Sequence, residues 1–258
     1  MKALVYTGEK SLDFCEVPDP KLKDDENLIS IRSVGICGSD MHAYLGHDDR
    51  RPAPLILGHE AAGDVIEGPL KGERVTINPL VSCQKCKECK SNRSNLCGKR
   101  QIISMQPREG AFAELVAMPS RNLVKVPDDI SFNDAALTEP LAVCWHAVRL
   151  GLEALDTDIS SANTLVIGGG AIGLGSALSL MAKGIKKIKI AEPNEKRRAF
   201  LQANTWFDVY DPTKGHGDLS CYDIVIDAVG FSSSRSDACA LAKPGSVILH
   251  IGLGDSDG

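Results

Sequence analysis

The stretch "NTLVIGGGAIGLGSALSLMAKG", residues 163–184, narrows the choice of folds more than any other part of the chain. A short apolar run ends on three glycines, and apolar residues at helical spacing begin immediately after them. Gly168, Gly170 and Gly173 spell G-x-G-x-x-G at a strand-to-helix turn, with Ile172 inside it. Gly168 suits the tight turn, Gly170 lets backbone approach a pyrophosphate, and Gly173 lets helix and strand pack closely. The helix N-terminus adds backbone N–H groups and a favourable field for an anion. The alternation then continues: "KKIKIAEP" reads as a strand, "NEKRRAFLQAN" as a charged helix, and "FDVYD", "YDIVIDAVG" and "GSVILHIGLG" as further strands. Strands separated by helices predict a parallel, doubly wound sheet. Glu192 follows Gly173 by 19 residues, at the end of the next strand. A carboxylate there accepts adenosine ribose hydroxyls and repels a 2′-phosphate, which favours NAD over NADP. Arg197 and Arg198, just beyond it, moderate that preference. The plain alternative is a glycine turn that binds no nucleotide.

The first 130 residues have a different texture. "KALVY", "NLISIRSVG", "AAGDVIEG", "ERVTINPLV", "AFAELVAM" and "NLVKV" are short strand-like segments punctuated by Gly, Pro and Asp. They predict a β-rich domain. From Ser131 the chain turns helical, with Ser131 and Asp134 spaced as a capping box. The expected domains are residues 1–149 and residues 150–258. The 258 residues carry a formal net charge of -5, which argues against a protein-wide affinity for nucleic-acid backbones. No apolar run approaches the roughly 18 residues of a membrane span, and the N-terminus lacks a signal-peptide core. A cytoplasmic protein is expected, in which nine cysteines serve metal binding or catalysis rather than disulfides.

Four of those cysteines lie in "CQKCKECKSNRSNLC": Cys83, Cys86, Cys89 and Cys97. Four thiolates can close a tetrahedral zinc site and leave no position for substrate, so residues 83–97 read as a structural lobe. Unmetallated thiols or an iron site are the alternatives. The lysines and Arg93 in this stretch outnumber Glu88 by three charges. They offset the two net negative charges of four thiolates around Zn²⁺, which weakens a nucleic-acid reading. A second, dispersed set comprises Cys37, Ser39, Asp40 and His42 in "GICGSDMH", His59 and Glu60 in "GHEAAG", and Glu139 in "TEPLAV". Thiolate, imidazole and carboxylate together suit a catalytic zinc with an open position. Taken singly, each residue also has a structural reading: Cys37 as a core residue, His59 as a hydrogen-bonded histidine, Glu139 as a helix start.

The motifs "GICGSDMH", "GHEAAG", the four-cysteine stretch, "GAFAEL", "TEPLAV" and "GGGAIG" occur in an order that resembles the zinc-dependent medium-chain dehydrogenases. The likeness is to their polyol, sugar-alcohol and threonine dehydrogenase branch. It implies an N-terminal GroES-like barrel joined to a Rossmann domain, the active site in the cleft, and two Zn²⁺ per chain. It implies Cys37 and His59 as catalytic-zinc ligands, Glu60 as a ligand or exchangeable near-ligand, and Glu139 as a further ligand or near-ligand. Asp40 would orient His59; Ser39 and His42 would carry the proton relay. The implied reaction is hydride transfer between NAD and a secondary alcohol, in a dimer or tetramer, with a small-molecule substrate and neither nucleic acid nor membrane as partner. A primary-alcohol or formaldehyde dehydrogenase, or an inactive zinc- and nucleotide-binding fragment, are the competing expectations. Family members usually continue beyond the point matching residue 258, so the Rossmann part is expected to be incomplete and turnover by this chain reduced.

Overall fold

The computed structural model describes residues 1–156, 158–215 and 219–254. The chain divides into two compact units, Met1–Glu139 and Pro140–Gly258.

The first unit is built from short antiparallel strands. β1 (Lys2–Gly8) and β2 (Ser11–Glu16) form a hairpin. The long β3 (Glu26–Gly35) leads into a short helix, α1 (Gly38–Tyr44), after which β4 (Leu55–Ile56) pairs with the free side of β1. β5 (Glu60–Glu67) and β6 (Arg74–Ile77) follow. β7 (Leu80–Val81), α2 (Lys87–Lys90) and β8 (Gln101–Ile102) frame the four-cysteine stretch. β9 (Leu115–Pro119) and β10 (Leu123–Lys125) then complete a five-stranded sheet of order β10-β6-β5-β3-β9. Its core is Ile29, Ala61, Val65, Val75, Ile77, Val116 and Met118, all buried. Aliphatic residues of that size contribute about 1.5–3 kcal/mol each when removed from water, enough in sum to order the short strands.

The predicted helix after Ser131 forms, but in two pieces. Ser131 caps α3 (Phe132–Ala136), its hydroxyl accepting the Asp134 N–H at 3.1 Å. A second helix, α4 (Thr138–Ala154), starts after Leu137. Pro140 explains the break: its ring opposes the carbonyl four residues earlier, yet it fits the first turn of a new helix.

The second unit follows the predicted alternation. β11 (Asn163–Ile167), α5 (Ala171–Ala182), β12 (Lys187–Ala191), α6 (Glu195–Asn204), β13 (Asp208–Tyr210), β14 (Tyr222–Asp227), α7 (Ser232–Leu241) and β15 (Ala242–His250) build one sheet. Its order is β13-β12-β11-β14-β15, with every pair parallel. β11 is central because both faces are covered: Val166 packs with Ala177 and Leu180 of α5, and Leu165 with Ala238 and Leu241 of α7. The α/β class with a β-rich first part is thus the architecture observed. Helix α7 had no counterpart in the sequence reading, since "SSSRSDACAL" shows little apolar periodicity. No described helix is long and apolar enough to cross a membrane.

Candidate metal and dinucleotide sites

The dispersed ligand set is assembled by the end of β3 and the start of β5. The two strands pair antiparallel, with Gly35 opposite Glu60. Any Cβ at Gly35 would overlap the Glu60 carboxylate, so only glycine leaves Glu60 its place. Just beyond Gly35, Cys37 caps α1 in an extended conformation. On the other strand Gly58 has φ of 88°, and a Cβ there would sit 2.6 Å from the Phe112 ring. Both the backbone angle and the aromatic neighbour therefore require glycine before His59.

Asp40 ties the two segments together. One carboxylate oxygen accepts the Cys37 N–H at 3.0 Å and the other accepts the Gly58 N–H at 3.1 Å. The second oxygen also lies 3.6 Å from Nδ1 of His59. That Nδ1 is buried and otherwise without a hydrogen-bond partner. With Nδ1 facing Asp40, the other ring nitrogen is the one left for a ligand.

The electrostatics are those of an acidic pocket with too little positive charge. Burial works against a charged His59, yet Asp40 and then Cys37 overcome it and raise the imidazole to about 10. Burial also disfavours ionised Asp40, but His59 and the Cys37 and Gly58 N–H groups hold its carboxyl below the usual range. Glu60 is raised by burial, against the pull of His59, and Glu139 is raised by burial as well. One imidazole thus faces a thiol and three carboxyl groups. The donor atoms of Cys37, His59 and Glu60 lie within 4.8 Å of one another, a set that a divalent cation fits. Glu139 is close enough to feel His59 and Glu60 but stands outside that group.

The two expected relay residues are not joined. Ser39 Oγ accepts from Nη2 of Arg51 at 3.4 Å. His42 lies half-buried, its ring 6.5 Å from that of His47, with no hydrogen bond to Ser39.

Cys83, Cys86, Cys89 and Cys97 come together from local turns alone, all four sulfurs within 4.8 Å of one another. The Cys86–Cys89 and Cys83–Cys89 separations are 3.5 and 3.9 Å. A tetrahedron of sulfurs around Zn²⁺ has edges of about 3.8 Å, whereas a disulfide needs about 2 Å. Backbone N–H groups of Lys85 and Cys86 bring the Cys83 thiol down to about 6. The Cys89 N–H acts on Cys86 in the same sense, but burial and the neighbouring sulfurs push Cys86 up to about 12. Four sulfurs at this spacing, which resist ionising together without a counter-charge, fit a tetrahedral metal ion.

In the second unit the glycine turn links β11 to α5. Gly168 has φ of 94°, and a Cβ on Gly173 would strike the Gly168 carbonyl, which fixes helix against strand. Ile172 lies in the first turn of α5, its carbonyl accepting from Cys144 Sγ of α4 at 3.4 Å. A Cβ on Gly170 would meet nothing within 4 Å, so the space beside this backbone is open, as a phosphate requires. Glu192 is buried at the end of β12, its carboxylate accepting the N–H groups of Gly169 at 2.7 Å and Asn194 at 2.8 Å. Each oxygen keeps a further lone pair. Arg198 is spent on the Glu192 and Pro193 carbonyls and on Asp211 at 3.0 Å. Arg197 is the exposed one of the two arginines.

Sequence reading passed over the need for Gly35 and Gly58. The glycines were visible as the residues flanking "IC" and "HE", but their necessity appears only across strands.

A family profile described as the alcohol dehydrogenase GroES-like domain matches residues 23–128. L-galactonate-5-dehydrogenase of Escherichia coli (strain K12) is 34% identical over 98% of this chain and 76% of its own length. Among solved structures, galactitol-1-phosphate dehydrogenase of Escherichia coli superposes with a TM-score of 0.88 at 25% identity, over 100% of this chain and 77% of that one. An alcohol dehydrogenase from Escherichia coli CFT073, complexed with NADH, gives 0.86 at 25% identity, over 100% and 77%.

Proposed function

This chain belongs to the zinc-dependent medium-chain dehydrogenase family, and from that premise we propose that it oxidises a secondary alcohol of the polyol, sugar-alcohol or sugar-acid class to the ketone, with NAD as partner. The observation that carries this reading is the meeting of Cys37, His59 and Glu60 beside Asp40. Cys37 and His59 would hold a catalytic zinc, with Glu60 and Glu139 as the carboxylates that join or leave it. Zinc held there would supply Lewis acidity toward the substrate oxygen. Cys83, Cys86, Cys89 and Cys97 would hold the second, structural zinc. NAD on the glycine turn would supply the hydride acceptor.

The chain's own part is binding and orientation. Asp40 holds the His59 ring in one tautomer and one plane. Burial around Glu60 keeps water away from the carboxylates. Ser39 takes the proton of the substrate hydroxyl, and His42 lies further along the same helix for its passage outward. Gly168, Gly170, Ile172 and Gly173 present backbone to the pyrophosphate. The remaining lone pairs of Glu192 receive the adenosine ribose hydroxyls, and its charge favours NAD over NADP. Exposed Arg197 keeps that preference short of absolute.

A reducing compartment such as the cytoplasm suits four thiols that must stay unoxidised. The purified protein, analysed for metal and screened with NAD against secondary polyols, sugar acids and primary alcohols, tests the reading. Two zinc ions per chain and NADH formation from a secondary alcohol are expected. Turnover confined to primary alcohols or formaldehyde, or no zinc bound through Cys37, overturns it.

A further inference from the structure

We propose that Arg51 is a positioning residue that sets which way the Ser39 hydroxyl can pass a proton; this rests on Ser39 being the relay hydroxyl. Of the charged residues that follow α1, Asp49 and Arg50 are exposed, whereas Arg51 is only 4% exposed.

Its guanidinium is anchored through all three of its nitrogens. Nε donates to the Ser104 carbonyl at 3.0 Å and to Ser104 Oγ at 3.3 Å. Nη1 pairs with Asp48, and Nη2 donates to Ser39 Oγ at 3.4 Å. Ser104 is completely buried and Asp48 nearly so, which anchors the fork on two sides. Asp48 also receives Arg50, at 2.7 and 2.9 Å, so a single carboxylate is shared between the two guanidiniums and holds Arg51 in place.

The consequence follows from donor and acceptor counts. A hydroxyl has one hydrogen and two lone pairs; a guanidinium can only donate. Arg51 therefore occupies one lone pair of Ser39 Oγ. What remains is one lone pair, to accept the substrate proton, and one hydrogen, to pass on. The relay becomes a wire with one entrance and one exit. Without Arg51 the hydroxyl is free to rotate among its staggered positions. In the oxidation step the substrate O–H bond breaks as a new O–H bond forms at Ser39, whose original proton leaves to the next acceptor, so protons balance. At 3.4 Å the Arg51–Ser39 bond is long, which makes it a restraint on direction and not a large store of energy.

The test is a double-mutant cycle with Arg51→Met, Arg51→Lys and Ser39→Ala, plus the crystal structure of Arg51→Met. Arg51→Met is expected to lower kcat about tenfold with KM changed less than about twofold, and Arg51→Lys to recover part of the loss. In the Ser39→Ala background the same change should cost less than about twofold, because the residues act through one contact. In the crystal, Ser39 Oγ should leave the position it holds beside Arg51. Equal losses in both backgrounds, or an unmoved Ser39 rotamer, overturn the proposal. If Arg51→Met does not fold, Arg51→Lys, which keeps a charge for Asp48 but loses the fork, carries the cycle and the crystal structure. If Ser39→Ala retains full turnover, the relay reading itself fails, and the Ser39 rotamer alone decides whether Arg51 positions it.

Discussion

The four-thiol lobe and the Cys37–His59–Glu60 cluster gather donor atoms to similar separations by opposite means. The lobe takes all its donors from residues 83–97, through one four-residue helix and one short 3-10 turn. The cluster draws on residues 22 positions apart in the chain and depends on the β3–β5 register to meet. The lobe has four identical donors and no vacancy for a substrate. The cluster has unlike donors, surplus carboxylates and an imidazole steered by Asp40. Local closure makes a good staple, whereas a site assembled across strands keeps a position that chemistry can use.

The sharpest way to break this contrast is to remove one sulfur from each. Cys37→Ser should lower kcat/KM by at least about a thousandfold while the unfolding midpoint barely moves. Loss of stability on the same scale as loss of turnover would mean that the cluster is a staple too. Cys97→Ser should instead cost about 3 kcal/mol or more in denaturant unfolding, because metal binding to such a lobe is folding energy. A Cys97→Ser protein with unaltered stability but no turnover would invert the assignment. The finest test is Asp40→Asn, which keeps size but removes the charge facing His59. Zinc affinity at the cluster should fall about 10–100-fold in competition with a chromogenic chelator, and the zinc of the lobe should be unaffected.

The two sites also differ in how much of them a sequence displays. The lobe was legible because its ligand spacing is its structure; chain connectivity alone forces the four sulfurs together. The glycine turn was legible for a related reason. Its strand, turn and helix are consecutive, and the apolar period changes at the glycines. Ser131 announced its helix through a capping spacing, whereas the break before Pro140 went unread because the apolar periodicity runs across it. Helix α7 escaped notice because its contacts with β14 come through only a few side chains, Ala238 and Leu241 among them.

The Cys37–His59–Glu60 cluster was legible as a set of candidate residue types, not as a geometry. "GICGSDMH" and "GHEAAG" name the donors, but nothing in either stretch says that Gly35 will face Glu60 or that Asp40 will hold both Cys37 and Gly58. Arg51 is the extreme case, a charged residue in a charged loop that is held by Ser104, 53 residues away. By itself, then, the sequence determined the parallel sheet, the dinucleotide turn and the thiol lobe, since these rest on periodicity and spacing within one segment. Only the tertiary structure decided which carboxylate lies against the imidazole, which glycines clear the pocket and which cation meets the Ser39 hydroxyl. Those are contacts between strands and loops far apart in the chain, and their energies exist only once the register is set.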